Sequence, residues 1–127
     1  MNSWYVLVVE DDPDGQEVVA RMLRHHGIPA ALADSGEQAV SMLDEQKFTA
    51  AVIDLALPGM DGWRVLQTIR ANPNTAHLPC IAVTAFHSAE VAVKAIQAGF
   101  DAYFPKPLDA TSFVRELQHV VASQTTA

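Results

Sequence analysis

The sequence predicts an α/β fold, a single doubly wound parallel sheet of five strands with five helices on its two faces. Short apolar runs alternate with segments of helical periodicity, turn residues bound each run, and several runs end on a polar side chain. With 127 residues, 50% of them hydrophobic, the chain can bury roughly two thirds of its unfolded surface. We expect one domain over residues 1–127, with a core over about 4–123 and a polar tail at 124–127.

The first predicted strand is the continuous apolar run Tyr5–Val9, which leads into an acidic segment at residues 10–12. After Asp14 the apolar positions recur at helical spacing, and Gly27 is the usual kind of residue just past a helix end. We expect the apolar stripe of this helix to face the core. Its members are Val18, Val19, Met22 and Leu23.

The second strand candidate, Ile28–Ala33, is weaker, and Ser35 can cap the helix after it because Gln38 lies three residues further on. The third strand is Ala50–Asp54, an apolar run that ends on a lone carboxylate and leads into a loop rich in proline and glycine. The third helix begins at about Gly62 and ends at an Asn-Pro-Asn segment.

The fourth strand, Cys80–Thr84, is another buried run that ends on a polar residue, and Ser88 can cap the helix that follows it. The fifth strand, Ala102–Phe104, is short and precedes a lysine between two prolines. Asp109 can cap the last helix, which has a regular apolar face. That face consists of Phe113, Val114, Leu117, Val120 and Val121.

Composition and charge exclude several classes of protein. The net charge of −7 opposes the phosphate backbone, so we expect no direct contact with nucleic acid. Cys80 is the only cysteine, which rules out an internal disulfide and suits a reducing compartment. No segment has the form of a signal peptide or the length of a membrane span. We therefore expect a cytoplasmic protein that does not contact the membrane.

Polar side chains follow four of the predicted strands, and the carboxyl ends of parallel strands meet at one edge of a sheet, where ligands bind. These side chains are Glu10, Asp11, Asp54, Thr84 and Lys106. Each pair of carboxylates brought into contact there repels by about 1 to 4 kcal/mol, depending on burial. A divalent cation removes that cost, and a site of oxygen ligands alone selects a hard ion, so we expect Mg²⁺.

The same group of residues can carry phosphoryl chemistry. A carboxylate can attack phosphorus to form an aspartyl phosphate if the charge on the transferring oxygens is neutralised. The metal would supply part of that neutralisation and the ammonium group of Lys106 the rest. The hydroxyl of Thr84 can donate a hydrogen bond to a phosphoryl oxygen. We interpret Asp54 as the nucleophile of this site.

Four motifs in this order resemble the receiver domains of two-component response regulators, the CheY-like family. They are VVEDD at 8–12, DLALPGMDG at 54–62, AVTA at 82–85 and YFPKP at 103–107, so the resemblance extends over essentially the whole chain. It implies the flavodoxin/CheY-like strand order 2-1-3-4-5. It also implies a signalling protein that takes a phosphoryl group from a histidine kinase or a His-containing phosphotransfer protein and passes the signal to another, unidentified protein.

The resemblance implies a role for each site residue. Asp54 would accept the phosphoryl group, while Asp11, Asp54 and the backbone carbonyl of Ala56 would bind Mg²⁺, with Glu10 holding the metal through water. Lys106 would pair with the phosphoryl group, and the Lys106-Pro107 bond would be cis. Thr84 would move toward the phosphoryl group, and Tyr103 would change rotamer in response. The output surface would consist of the last helix pair and Tyr103.

Two other functions remain open at this point. One is a Mg²⁺-dependent phosphohydrolase with the same aspartyl chemistry, although such enzymes resembling haloacid dehalogenases need a second aspartate where this chain has Ala56. The other is a receiver-like interaction module that is never phosphorylated. We favour the signalling receiver, a protein that is not an enzyme apart from its own phosphorylation and dephosphorylation.

Ala56 and Phe86 stand two residues after Asp54 and Thr84, where the family often has polar side chains that act on the attacking water. An apolar pair at these places leads to the hypothesis that autodephosphorylation is slow and the phosphorylated state long-lived.

Overall fold

The computed structural model describes residues 4–125. Five strands form one parallel sheet in the order β2-β1-β3-β4-β5, which confirms the predicted fold class and strand order. The strands are β1 (Val6–Val9), β2 (Ala30–Ala33), β3 (Ala50–Asp54), β4 (Cys80–Thr84) and β5 (Ala102–Pro105). The helices are α1 (Pro13–His25), α2 (Gly36–Glu45), α3 (Gly62–Ala71), α4 (Ala89–Ala98) and α5 (Ala110–Thr125).

Two apolar clusters cover the two faces of the sheet. One joins the sheet to buried residues of α2, α3 and α4, among them Ala39, Leu66 and Ala95. The other joins it to α1 and α5, where Leu23 and Phe113 are fully buried. Since the three central strands are buried on both faces, their continuous apolar runs are explained by this packing.

The register of the sheet brings the strand ends level with one another. Val9 pairs with Ile53, so the residues that follow them, Glu10 and Asp54, lie side by side at the carboxyl edge. Thr84 pairs with Pro105, and the backbone N–H of Lys106 donates to the Thr84 carbonyl at 2.9 Å. The polar residues predicted to form the site therefore do lie together at the carboxyl edge of the sheet.

The predicted helix starts at Ser35, Ser88 and Asp109 are confirmed, because each side chain accepts a hydrogen bond from the backbone N–H three residues on. Only half of the capping box at Ser35 forms. The side chain of Gln38 accepts from the N–H of Asp34 at 2.6 Å, one residue before the cap. The Lys106-Pro107 peptide bond is cis, as predicted.

Two predictions differ from the structure. Val18 was expected in the buried stripe of α1 but is 47% exposed, because only one side of the helix contacts the sheet and Val18 lies outside it. Helix α5 extends to Thr125, so residues 124–125 of the predicted polar tail have helical backbone. Residues 126–127 of that tail lie outside the described residues. Within residues 4–125, no helix combines the length and the apolar character needed to cross a membrane.

Candidate functional site

Three carboxylates meet at the carboxyl edge of the sheet, where β1 and β3 end. Glu10, Asp11 and Asp54 each offer an oxygen atom, and these atoms all lie within 4.8 Å of one another. Glu10 and Asp54 are buried, whereas Asp11 is exposed at the mouth of the site. Carboxylates at this separation repel one another, so the arrangement favours a bound cation.

Lys106 supplies the positive charge that the described structure places in this cluster. Its Nζ donates to Asp54 Oδ2 at 3.0 Å and to Glu10 Oε1 at 2.5 Å. Burial disfavours the charge on this lysine, but hydrogen bonds and charge attraction from Glu10 and Asp54 outweigh that effect, so the pKa of Lys106 lies above its usual value. The ammonium group therefore stays charged and bridges two carboxylates.

Asp54 is held by both of its oxygens. Oδ1 accepts from the backbone N–H of Ala56 at 2.9 Å, while Oδ2 accepts from Lys106. The backbone behind it is tightly packed, because the first residue of α3, Gly62, lies against it. A Cβ on residue 62 would come within 2.8 Å of the Leu55 Cα, so glycine is needed for helix α3 to start this close to the carboxylate.

Glu10 is buried at the end of β1. The contact with a metal through water that the resemblance implied stays a prediction, and the structure adds a direct ion pair between Glu10 and Lys106. Burial raises the pKa of Glu10, and the nearby charge of Asp54 adds to the rise, while hydrogen bonds from Lys106 and from the Asp12 N–H oppose it. Glu10 thus shares Lys106 with Asp54.

Thr84 ends β4 and Tyr103 lies on β5, and the side chains of both are bonded to the loop between β4 and α4. Thr84 is buried, and its Oγ1 accepts from the backbone N–H of Phe86 at 3.0 Å. The hydroxyl of Tyr103 lies 2.9 Å from Nδ1 of His87. Both predicted switch residues therefore contact the same loop.

The sequence analysis assigned no role in the site to three residues that shape it. Gly15 leaves open the space that the Glu10 carboxylate fills, since a Cβ there would lie 2.8 Å from Glu10 Cδ. Gly62 allows the close start of α3, and His87 bonds the predicted switch tyrosine. A glycine near the start of a helix could have indicated close packing at the site. Nothing in the sequence indicated the contact of His87, because His87 and Tyr103 are 16 residues apart in the chain.

The ligand set fits a hard divalent cation. Asp11 and Asp54 present carboxylate oxygens, and among the described residues no histidine or cysteine belongs to the group. Glu10 adds a third carboxylate, although Lys106 already occupies one of its oxygens. The Ala56 carbonyl as a fourth oxygen ligand stays a prediction.

Comparison with known proteins agrees with this geometry. The family model of the response regulator receiver domain matches residues 6–118. Chemotaxis protein CheY-3 of Vibrio cholerae is 34% identical over 116 residues, which cover 91% of this chain and 89% of that protein. The transcriptional regulatory protein ZraR of Escherichia coli is 36% identical over 118 residues, but this chain spans only 26% of its length.

A solved structure shows the same fold with a metal bound. The receiver domain of the sensor histidine kinase PA1611 from Pseudomonas aeruginosa is 34% identical and superimposes with a TM-score of 0.87, over 95% of this chain and 99% of that one. That domain holds a magnesium ion in its active site cleft. The fold and the acidic site thus define a CheY-like receiver domain. This chain belongs to the response regulator receiver domain family of two-component signalling.

Proposed function

We propose that this receiver accepts a phosphoryl group on Asp54 from a phosphohistidine, either of a histidine kinase or of a His-containing phosphotransfer protein. The observation that carries the proposal is the Asp54 carboxylate itself, buried among the strand ends with the Lys106 ammonium at 3.0 Å and two further carboxylates beside it. An anionic nucleophile in that position has a counter-charge in place before the phosphoryl group arrives.

The transfer balances without another reactant. A bond forms between an Asp54 carboxylate oxygen and phosphorus as the nitrogen–phosphorus bond of the phosphohistidine breaks, and the electron pair of that bond stays on the nitrogen. The ring, which carries a proton on its other nitrogen, then leaves as neutral imidazole. Lys106 then has a new anionic partner, and it can turn to the phosphoryl oxygens while keeping its hydrogen bond to Glu10. The Ala56 N–H, which donates to Asp54 Oδ1, holds the carboxylate in a fixed orientation.

Mg²⁺ is the proposed cofactor, with Asp11, Asp54 and the Ala56 carbonyl as ligands and Glu10 as a contact through water. When bound, the ion neutralises negative charge on the carboxylates and on the phosphoryl oxygens. Three carboxylate oxygens that lie within 4.8 Å of one another support this proposal, because they repel one another when no cation is bound.

The output is proposed to be a change of protein contacts. Thr84 would give up its bond from the Phe86 N–H and turn its hydroxyl to a phosphoryl oxygen, and Tyr103 would respond. A histidine kinase upstream and a protein partner downstream agree with the two-component family. We propose no activity on other substrates, because Ala56 has no group that could exchange a proton with a leaving group.

The test is phosphorylation in vitro. The protein is incubated with acetyl phosphate and Mg²⁺, and intact mass is measured. We expect an adduct of one phosphoryl group that is absent in Asp54→Asn and absent when EDTA replaces Mg²⁺. Asp34→Asn is the matched control, because Asp34 is an exposed carboxylate that follows β2 at the same edge of the sheet. An adduct that survives Asp54→Asn would refute the assignment.

A further inference from the structure

Gly15 lies in the first turn of α1, directly against the carboxylate of Glu10. A Cβ on residue 15 would lie 2.8 Å from both Cδ and Oε1 of Glu10 and 3.0 Å from its Cγ. These distances are shorter than van der Waals contact. The backbone at Gly15 is helical, and alanine is a much better helix former than glycine. Glycine is therefore needed here for space and not for its backbone conformation.

The space at Gly15 is occupied by the oxygen atom that binds Lys106. Glu10 Oε1 accepts from Lys106 Nζ at 2.5 Å, and Glu10 Oε2 accepts from the backbone N–H of Asp12 at 3.2 Å. The backbone carbonyl of Glu10 accepts from Nε2 of Gln16 at 2.7 Å. Both oxygens of this buried carboxylate are therefore bonded, and its main chain is held by α1. The contact with Lys106 depends on where Oε1 lies.

A methyl group at position 15 would act on the end of the glutamate side chain. Cδ and Oε1 of Glu10 lie at the end of a flexible side chain, whereas residue 15 belongs to the backbone of a helix, so the carboxylate is the group that gives way. Lys106 would then keep only its bond to Asp54 Oδ2 at 3.0 Å. The displaced carboxylate would remain in the acidic cluster without the ammonium group beside it, which is unfavourable for an incoming anion.

We propose that Gly15 is a positioning residue for the phosphoryl site. The space that it leaves free lets Glu10 Oε1 reach Lys106, and Glu10 in turn holds the ammonium group beside Asp54. Glycine at position 15 and glutamate at position 10 are thus a matched pair, in which the size of one residue sets the reach of the other. The effect on phosphoryl binding rests on the proposed function, whereas the matched pair is a property of the unphosphorylated protein.

The alternative is that Gly15 only allows α1 to pack closely against the sheet. In that case Gly15→Ala should have the same effect whatever residue stands at position 10. Glu10→Ala removes Cγ, Cδ and Oε1, the three atoms that a Cβ on residue 15 would touch. If Gly15 acts through Glu10, Gly15→Ala should therefore have an effect in the wild type and none in the Glu10→Ala background.

The first experiment is a crystal structure of unphosphorylated Gly15→Ala. We expect α1 to keep its place and Glu10 Oε1 to move beyond about 3.5 Å from Lys106 Nζ, outside hydrogen-bond distance. A structure in which the contact with Lys106 is kept and the first turn of α1 has moved would refute the matched pair. It would leave the proposed function standing.

The second experiment measures the affinity for beryllofluoride, a phosphoryl mimic, by fluorine NMR with Mg²⁺ in excess for every protein. Gly15→Ala should bind it roughly tenfold less tightly than the wild type, the effect of losing one hydrogen bond between charged groups. In the Glu10→Ala background, adding Gly15→Ala should change the affinity by less than about twofold. The matched control is Val18→Ala, at an exposed position of the same helix, which should bind as the wild type does.

The outcomes separate the two claims. If the wild type binds no beryllofluoride in the presence of Mg²⁺, the proposed function fails and the crystal structure alone decides the matched pair. If the wild type binds and Gly15→Ala has the same affinity, the positioning role is refuted while Asp54 remains the proposed acceptor. An equal loss with and without the Glu10 side chain would also refute it, because a residue that acts through Glu10 cannot act when that side chain is missing.

Discussion

Asp54→Asn should stabilise the protein in the absence of metal while it removes the proposed function. The carboxylate repels those of Glu10 and Asp11, which lie within 4.8 Å, by about 3.5 kcal/mol each at an effective dielectric constant of 20. It is attracted to Lys106 at 3.0 Å by about 5.5 kcal/mol on the same scale. The balance is a net relief of about 1–2 kcal/mol when the charge is removed, and asparagine can still accept from the Ala56 N–H.

Thermal unfolding in EDTA measures this relief. For a domain of this size, about 1–2 kcal/mol corresponds to a rise in Tm of roughly 3–8 °C. With Mg²⁺ at about 100 times its Kd, the wild type should gain about 2.7 kcal/mol, whereas Asp54→Asn should gain little, because it lacks one ligand. When Mg²⁺ is added, the Tm of the wild type should therefore rise to about that of Asp54→Asn or above it.

Asp34→Asn is again the matched control and should change Tm by less than about 1 °C, as exposed substitutions usually do. A lower Tm for Asp54→Asn in EDTA would refute the reasoning, since it would mean that attraction to Lys106 exceeds repulsion within the cluster. Equal stabilisation of both proteins by Mg²⁺ would show that the ion binds elsewhere. Raising the salt concentration should shrink the difference in EDTA, because salt screens the partly exposed charges.

Three further predictions follow from single side chains. Phe86, which is 74% exposed, should slow hydrolysis of the aspartyl phosphate. Phe86→Glu should therefore shorten the lifetime of the phosphorylated protein roughly tenfold by orienting water, whereas the control Phe86→Leu should not. The lifetimes are measured by intact mass after removal of acetyl phosphate, and equal lifetimes would contradict this prediction. Burial raises the pKa of Cys80 from 9.0 to about 12, so the thiol contributes stability that is present below pH 9 and is lost as the pH rises toward 12. Iodoacetamide at pH 8 should label the native protein at least about 100-fold more slowly than the protein in guanidinium, and equal rates would show that the thiol is accessible. Arg70→Met should lower the free energy of unfolding in urea by about 2–3 kcal/mol, because Arg70 bonds three backbone carbonyls and Asp101. The control Arg64→Met on the same helix should leave the free energy of unfolding nearly unchanged. Equal stability of the two variants would refute the estimate.

The strand ends show what the sequence was able to predict. Runs such as Ala50–Asp54 carry their own signal, since a buried parallel strand is apolar throughout and its first polar residue marks the edge. Topology rules then bring these edges together, so the group of Glu10, Asp11, Asp54 and Lys106 was predictable from spacing and alternation. The order of strands and the cis bond before Pro107 came only from the resemblance to the family.

What could not be predicted depends on contacts between distant residues. The bond between Arg70 and Asp101 and the bond between His87 and Tyr103 each need the sheet register to be known. Val18 was misplaced because an apolar residue at helical spacing can lie outside the buried side of a helix. The ion pair between Glu10 and Lys106 was not predicted either, because the sequence does not show how far a side chain reaches.

The start of α3 packs against the backbone of Asp54. This packing limits which segments around the site can move. Neither Gly62 nor Gly36 leaves room for a side chain, since a Cβ on residue 36 would come within 2.8 Å of Val65 Cγ2. The loop between Asp54 and α3 is therefore packed closely at both glycines, through Met60 at Gly36 and through Asp54 and Leu55 at Gly62. The loop from Thr84 to Ser88 is exposed after its first residue and holds to the sheet by side-chain bonds. If Asp54 is phosphorylated as proposed, we expect the change to reach the surface of the domain through this loop.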